Sequence, residues 1–232
     1  MPISHVWFDC DDTMYVQPPE LKAEIRRTIC TEIALRTSRS LEEITQEYPA
    51  RLHEFRTNTL AMGSYGIPKP EAQEIYNRPD IPSYVKPDPR LADMIKQIKD
   101  LGILVSVFTN NKRSTLIGIL RNLGLNIDDF RRLMTAEEVE PKPSEEGYKE
   151  IVECSDVALR ELMFVGDRME ADIIPARKHG MNTFLIKRDE SSHSFDPSTR
   201  THHYVRGSVY EVIDAVREIN DSGQSRNKGQ SG

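Results

Sequence analysis

The stretch that decides the fold lies near the start of the chain and consists of His5-Val6-Trp7-Phe8-Asp9-Cys10-Asp11-Asp12-Thr13. The apolar, β-prone residues up to Phe8 predict a short buried strand. Three carboxylates and a hydroxyl follow this strand directly. Carboxylates this close together repel one another and lose hydration, which is costly unless a cation or a reaction uses them. Because open parallel sheets carry their chemistry at the carboxyl ends of strands, the cluster predicts a site, and a plain acidic turn is the alternative.

The composition indicates a soluble globular protein with one domain and an insertion, or with two small domains. The chain has 232 residues, of which 38% are hydrophobic and 29% charged. The net charge of -6 argues against a nucleic-acid polymer as partner but is compatible with a small phosphorylated metabolite. No apolar run has the length of a membrane span, and no secretory leader is evident before Val6, so no membrane association is expected.

The cysteines favour a reducing compartment. Cys10, Cys30 and Cys154 are odd in number and widely spaced, which indicates neither a disulfide framework nor a metal site. We therefore expect a cytoplasmic protein, with Cys10 as a buried inert thiol. A monomer or a weak homodimer is the default expectation for its assembly.

Strands and helices alternate in most of the chain. The pattern predicts strands over Val6–Phe8, Ile103–Phe108, Leu133–Thr135, Leu162–Val165, Thr183–Ile186 and His203–Val205. It predicts helices over Leu91–Leu101, Thr115–Leu123, Tyr148–Cys154 and Ala171–His179, and from Ser208 to Ile219. This alternation predicts an α/β fold with a doubly wound, Rossmann-like parallel sheet. Residues 188–201 are expected to form a polar loop, and residues 221–232 a disordered tail.

A helical block interrupts this alternation after the first strand. Helices are predicted over Leu21–Thr37, Leu41–Tyr48, Leu52–Met62 and Glu71–Tyr76, followed by an irregular, proline-rich connection from Pro79 to Pro89. The expected organisation is therefore a core domain of residues 1–14 and 87–220, with a helical domain of residues 15–86 inserted into it.

Three further polar signals fall at or between predicted strand ends. Thr109-Asn110-Asn111 follows one strand, Gly166-Asp167 with Asp172 follows another, and Lys142 lies between two prolines in a loop. Each signal alone has a structural explanation, such as a helix cap, a turn or a solvated side chain. Together they indicate one edge of one sheet.

In this order the signals resemble the haloacid dehalogenase superfamily. Its pattern is a strand with Asp-x-Asp-x-Thr, a strand ending in Thr or Ser, a distant Lys, and a strand with Gly-Asp-x-x-x-x-Asp. Those positions correspond here to Asp9 through Thr13, Thr109, Lys142, and Gly166 through Asp172. The resemblance implies the superfamily's α/β core, and the inserted helices resemble its helical cap, a lid that excludes water and selects the leaving group.

The resemblance also implies a phosphatase chemistry. Asp9 is expected to attack phosphorus and form an aspartyl-phosphate, and Asp11 to protonate the leaving group and then activate water. The presence of Asp11 favours phosphoryl transfer over dehalogenation, while Asp12 is expected to serve the turn. The implied Mg²⁺ ligands are Asp9, Asp11 through its backbone carbonyl, Asp167 and Asp172. The implied phosphate ligands are Thr109, Asn110 and Lys142.

The expected substrate depends on the cap. Tyr65-Gly66, Glu74-Ile75-Tyr76 and the segments Pro79–Pro82 and Lys86–Pro89 resemble the pyrimidine 5′-nucleotidase-like branch, so a nucleoside 5′-monophosphate is the leading candidate. Its base would stack on Tyr15, Phe55 or Tyr65, and the alternative is that these rings pack inside the cap. A sugar-phosphate or phosphoglycolate phosphatase and a phosphomutase using Asp9 remain as alternatives. A catalytically silent binding module is the non-enzyme alternative.

Overall fold

The computed structural model describes residues 2–187 and 190–228 of the chain. The strands in this part are β1 His5–Phe8, β2 Leu104–Thr109, β3 Arg132–Thr135, β4 Leu162–Gly166, β5 Asn182–Ile186, β6 Ser192–Asp196 and β7 Thr201–Arg206. Within the described residues they form one sheet in the order β3-β2-β1-β4-β5-β7-β6. All neighbouring pairs are parallel except β6 and β7. The predicted parallel sheet is therefore confirmed.

Strand β1 lies in the interior of the sheet, between β2 and β4, and is buried on both faces. Val6 and Phe8 belong to one apolar cluster and Trp7 to the other, because successive side chains of a strand point to opposite faces. The Trp7 indole donates a hydrogen bond of 3.1 Å to Ser155 Oγ, which satisfies its buried N–H. Burial on both faces explains why the sequence of β1 is continuously apolar after His5.

The helices fall into two groups, those between β1 and residue 86, called the insertion here, and those that follow, called the core. Those of the insertion are α1 Pro19–Thr37, α2 Leu41–Phe55, α3 Asn58–Gly63 and α4 Lys69–Tyr76, with a 3-10 turn over Ile81–Tyr84. Those of the core are α5 Pro89–Asp100, α6 Arg113–Asn122, α7 Glu145–Cys154, α8 Ile174–Lys178 and α9 Val212–Lys228. Apolar residues of α5, α6 and α9 share the cluster of Val6 and Phe8, while those of α7 and α8 share the cluster of Trp7. The described core is thus doubly wound, with helices on both faces of the sheet.

The break between the second and third helices falls later than the sequence predicts. Helix α2 continues through Pro49 to Phe55, and Arg56 then adopts a positive φ of 67° that ends it. Thr57 begins the next helix, since its hydroxyl accepts a 3.2 Å hydrogen bond from the backbone N–H of Leu60. A left-handed residue and a capping threonine therefore set the boundary, and not the proline.

Two predictions near the C-terminus are corrected. The predicted polar loop of residues 188–201 contains strand β6, which pairs antiparallel with β7; Arg188 and Asp189 lie outside the described residues. The last helix continues to Lys228 instead of ending at Ile219, so the predicted tail is helical as far as it is described. Ser222 Oγ supports the extra turn by donating to the carbonyl of Glu218 at 2.7 Å. Residues 229–232 of the predicted disordered tail lie outside the described residues.

In the part of the chain that the structure describes, no helix has both the length and the apolar character required to cross a membrane.

Candidate active site

The carboxyl ends of β1, β2 and β4 lie side by side and bring the predicted residues together. Phe8 is paired in register with Val107 of β2 and with Val165 of β4. Asp9 therefore leaves the sheet between Thr109, the last residue of β2, and the Gly-Asp turn that follows β4. This geometry results directly from the parallel register, since strand ends meet at one edge of the sheet.

Lys142 lies at the centre of the site and contacts two carboxylates. Its Nζ is 2.5 Å from Asp9 Oδ1 and 2.6 Å from Asp172 Oδ1, and its side chain is 4% exposed. Burial by itself lowers the pKa of Lys142, but Asp172 and Asp9 more than offset this and raise it. The ammonium therefore stays charged beside the Asp9 carboxylate.

Asn110 fixes the backbone of Lys142 from β2. Its Oδ1 accepts a 2.7 Å hydrogen bond from the Lys142 N–H, and its Nδ2 donates at 2.9 Å to the Lys142 carbonyl. The sequence assigned Asn110 to phosphate. In the structure its side-chain amide holds the backbone of Lys142, and its role toward phosphate stays a prediction.

Asp172 is held on both carboxylate oxygens. Oδ1 contacts Lys142, and Oδ2 accepts a 3.0 Å hydrogen bond from the backbone N–H of Arg168. Gly166 packs against this carboxylate, because a Cβ added there would lie 2.4 Å from Asp172 Cβ and 2.6 Å from its Cγ. The glycine of the Gly-Asp motif is therefore required by the close approach of Asp172.

The turn after β1 ties Asp9 to the end of β4. Thr13 Oγ1 lies 3.1 Å from Asp9 Oδ2 and 3.5 Å from Asp167 Oδ1. Asp12 adopts a positive φ of 56°, and its carboxylate accepts a 3.0 Å hydrogen bond from the Gln17 N–H. The turn role predicted for Asp12 is thus confirmed, and Thr13 contacts the nucleophile candidate itself.

The carboxylates fit a divalent cation. Asp9, Asp167 and Asp172 each offer an oxygen within 4.8 Å of the others. Burial and the carboxylates of Asp9 and Asp172 raise the pKa of Asp167 to about 8, so this cluster is short of positive charge. Oxygen donors of this kind suit Mg²⁺. Both oxygens of Asp9 and both oxygens of Asp172 also contact hydrogen-bond donors of the protein, so the three carboxylates are equivalent candidates to hold the ion.

Asp11 lies beside this group and is held from two other directions. Tyr15 Oη donates to Asp11 Oδ1 at 2.6 Å, and Asn111 Nδ2 donates to Asp11 Oδ2 at 2.8 Å. Burial raises the pKa of Asp11 to about 6, against the hydrogen bond of Tyr15 that lowers it. A carboxyl group with such a pKa can both give and take a proton near neutral pH. Since its carboxylate is engaged here, any role of Asp11 at a metal rests on its backbone carbonyl.

A cavity of about 620 Å³ opens above the carboxylates, between the core and the insertion. Its floor includes Asp9, Asp11, Thr109 and Lys142. The insertion supplies polar groups to the opposite wall, namely Gln17, His53, Arg56, Asn58, Gln73 and Tyr76. The loop after β4 adds Arg168 and Glu170. The insertion therefore covers the site as a cap and presents hydrogen-bonding groups to it.

The aromatic residues that the sequence assigned to substrate lie elsewhere. Phe55 and Tyr65 are packed against the apolar cluster, and Tyr65 Oη donates to Glu47 at 3.0 Å. Tyr15 contacts Asp11, as described above. Among the described residues lining the cavity, Tyr76 is the one Phe, Tyr or Trp side chain. From the sequence, Arg56 could contact a distal polar group of the substrate, but a solvated helix face is favoured, so the polar cap wall as a whole was not predicted.

Comparisons with known proteins agree with this geometry. The family model of haloacid dehalogenase-like hydrolases matches residues 3–180. Glyceraldehyde 3-phosphate phosphatase of Methanopyrus kandleri is 28% identical over 234 residues, which cover 94% of this chain and 98% of that protein. Ribulose-1,5-bisphosphate 5-phosphatase of Halopiger xanaduensis is 25% identical over 134 residues, or 57% of this chain and 55% of that protein.

Solved structures share the fold over most of the chain. A haloacid dehalogenase phosphatase from Thermococcus onnurineus superimposes with a TM-score of 0.65 at 18% identity, covering 92% of this chain and 98% of that one. At 18% identity the similarity shows the fold alone.

Proposed function

The chain belongs to the haloacid dehalogenase-like hydrolases, and from this membership we propose that it is a Mg²⁺-dependent phosphomonoesterase acting on small sugar phosphates. One observation carries the proposal: Lys142 contacts Asp9 and Asp172 while Asp11 lies beside them at the floor of the capped cavity. A nucleophile, a fixed cation and a separate acid are the groups that phosphoryl transfer through a covalent intermediate requires.

In the first half of the proposed reaction, Asp9 attacks phosphorus. The Asp9 oxygen forms a bond to phosphorus, the bond to the leaving oxygen breaks, and Asp11 gives its proton to that oxygen. Lys142 stabilises charge on the phosphoryl oxygens and keeps Asp9 in place through its 2.5 Å contact. Thr109 is buried, and its Oγ1 accepts from the Asn111 N–H at 3.2 Å, which leaves the hydroxyl proton to donate to phosphate.

In the second half, a water molecule releases phosphate from Asp9. Asp11, now ionised, takes a proton from this water as it attacks phosphorus, and the Asp9 carboxylate is regenerated. The cap limits access of other water to the cavity. A bound Mg²⁺ would neutralise the carboxylates and the phosphoryl group, and Asp9, Asp167 and Asp172 would hold it.

The polar wall of the cavity favours a sugar over a nucleobase. Arg56 and Arg168 line the cavity, and neither arginine forms a salt bridge with another described residue. Hydroxyl, carbonyl or anionic groups of a short sugar phosphate can accept hydrogen bonds from such side chains. Phe55 and Tyr65, two of the rings proposed from the sequence for stacking, are packed against the apolar cluster instead. The curated relatives act, by their names, on phosphorylated trioses and pentuloses.

Phosphate release from a panel of esters tests the proposal. The panel contains triose, pentose and hexose phosphates, phosphoglycolate, UMP, CMP and AMP, each with Mg²⁺ and with a chelator. We expect Mg²⁺-dependent release concentrated on the sugar phosphates. Release concentrated on UMP and CMP would overturn the substrate class while keeping the chemistry. Loss of ester without release of phosphate would indicate a phosphomutase, and no turnover of any ester would contradict the proposal.

A further inference from the structure

Hydrogen bonds from other side chains hold the carboxyl group of Asp11 in place. Both of its carboxylate oxygens accept from side chains that lie on different segments. Tyr15 lies on the linker between β1 and the cap, and Asn111 follows the end of β2. We propose that Tyr15 and Asn111 are positioning residues that hold the Asp11 carboxyl group in the orientation needed for proton transfer to the leaving oxygen. This inference rests on the proposed phosphatase function.

Asn111 directs its side-chain Nδ2 to Asp11. Its side chain is fully buried, and its Oδ1 has no hydrogen-bond partner among the described residues. A buried amide oxygen without a partner costs free energy. The structure describes one hydrogen bond of this side-chain amide, from Nδ2 to Asp11. The amide makes this bond while its oxygen is left without a partner in the described part of the chain, which is typical of a functional contact.

The two contacts leave room for the proton that is transferred. Each carboxyl oxygen offers two lone-pair sites, of which Tyr15 and Asn111 occupy one on each oxygen and the Gln17 side chain contacts a third. A remaining site can hold the proton that goes to the leaving oxygen in the first half of the reaction. The same site accepts the proton of the attacking water in the second half. The two donors fix the rotation of the carboxyl group and so act on the rate through its position. A misplacement of a catalytic group by about 1 Å can lower the rate about 100-fold.

The position of Tyr15 also links the proton donor to the cap. Tyr15 forms an isolated β-bridge with Asp11, and two residues later Gln17 Nε2 donates at 3.1 Å to the hydroxyl of Tyr76 in α4. Tyr76 lines the cavity. A shift of the linker therefore changes both the hold on Asp11 and the cap wall.

The leaving group provides a test that a purely structural role would not pass. An alkoxide leaving from a sugar phosphate needs a proton, whereas p-nitrophenolate leaves without one. We compare kcat/KM, which reports the steps up to release of the leaving group, for the best sugar phosphate and for p-nitrophenyl phosphate. Tyr15→Phe is expected to lower kcat/KM about 10-fold for the sugar phosphate and less than about 3-fold for p-nitrophenyl phosphate.

The matched control is Tyr84→Phe. Tyr84 is also a linker tyrosine, and its hydroxyl donates at 2.5 Å to the Glu24 carboxylate, away from Asp11. This variant should leave both kcat/KM values unchanged. Asn111→Ser provides a second, independent variant and should show the same leaving-group dependence as Tyr15→Phe.

Each outcome decides the inference. An equal loss on both esters, or no loss on either, in variants with native circular dichroism would overturn it, because the hydroxyl would then serve only the fold or nothing. A wild-type protein that hydrolyses neither ester would overturn the proposed function instead, and the inference with it. A larger loss for the sugar phosphate in both variants would support the inference.

Discussion

Gly166→Ala tests how the core of the site is packed. The new Cβ would lie 2.4 Å from Asp172 Cβ, 2.6 Å from Cγ and 2.7 Å from Oδ2. Real Cβ contacts are rarely this short, so either strand β4 or Asp172 must move by about 1 Å to restore van der Waals distance. Strand β4 pairs with neighbours on both sides, which opposes a shift of its backbone.

The expected cost follows from what Asp172 would lose. Overpacking of a core position costs about 1–3 kcal/mol. Moving the carboxylate would also weaken its contacts to Lys142 at 2.6 Å and to the Arg168 N–H at 3.0 Å. Hydrogen bonds to charged groups contribute about 1.5–3 kcal/mol, so we expect a total loss of about 3–5 kcal/mol in the free energy of unfolding. Phosphatase activity should fall with it, because Lys142 then loses one of its two carboxylate partners.

Urea denaturation followed by circular dichroism measures this loss. Gly63→Ala is the matched control, because a Cβ added at Gly63 would meet no atom within 4 Å. It should change the free energy of unfolding by less than about 1 kcal/mol. A loss below about 1 kcal/mol for Gly166→Ala, or an equal loss in both variants, would refute the argument from close packing.

Two further substitutions follow from the same geometry. Lys142→Met should destabilise the fold by about 3–5 kcal/mol at pH 8, because it leaves buried carboxylates without their cation. Burial already raises the pKa of Asp172, so the folded variant takes up a proton more readily than its unfolded chain. The loss in free energy of unfolding relative to the wild type, measured by urea denaturation, should therefore shrink as the pH falls toward 5. A loss that grows as the pH falls would contradict this sign. Arg56→Gln should raise KM for sugar phosphates several-fold with little change in kcat. Arg51 pairs with Glu47 at 3.1 Å, and Arg51→Gln should change neither KM nor kcat. Equal effects of the two arginine variants in steady-state kinetics would remove Arg56 from the substrate wall.

The sheet and the floor of the site could be predicted because both depend on short local patterns. A buried strand followed by Asp9 and Asp11, and a strand followed by Gly166-Asp167, each place polar groups at a carboxyl end. Parallel pairing then brings those ends to one edge whatever the intervening sequence. The order of the motifs along the chain was sufficient to join them into one site.

The cap wall could not be predicted in the same way. Whether Phe55 faces the cavity or the apolar cluster depends on where helix α2 ends. That end is set by the positive φ of Arg56 and not by Pro49. Tyr15 is an aromatic residue in a linker, and nothing in the sequence distinguishes a stacking ring from a hydroxyl that contacts Asp11. Such contacts depend on the three-dimensional path of the turn.

Strand β6 was missed for a different reason. Its residues Ser192–Phe195 are exposed, so the sequence lacks the alternation that marks a half-buried strand. The buried environment of Lys142 was likewise not evident, because a lysine in a proline-rich loop is most often solvated. Only the two carboxylates that meet it in space explain its burial.

The most direct test of the account is to locate the phosphoryl group on the protein. The Asp11→Asn variant, which cannot activate water, is mixed with p-nitrophenyl phosphate and Mg²⁺, quenched in acid, and analysed by intact-mass and peptide mass spectrometry. We expect a mass gain of one phosphoryl group, located on Asp9, and no gain in the Asp9→Asn variant. A phosphoryl group on another residue, or equal labelling of the Asp9→Asn variant, would contradict the assignment of Asp9 as the nucleophile.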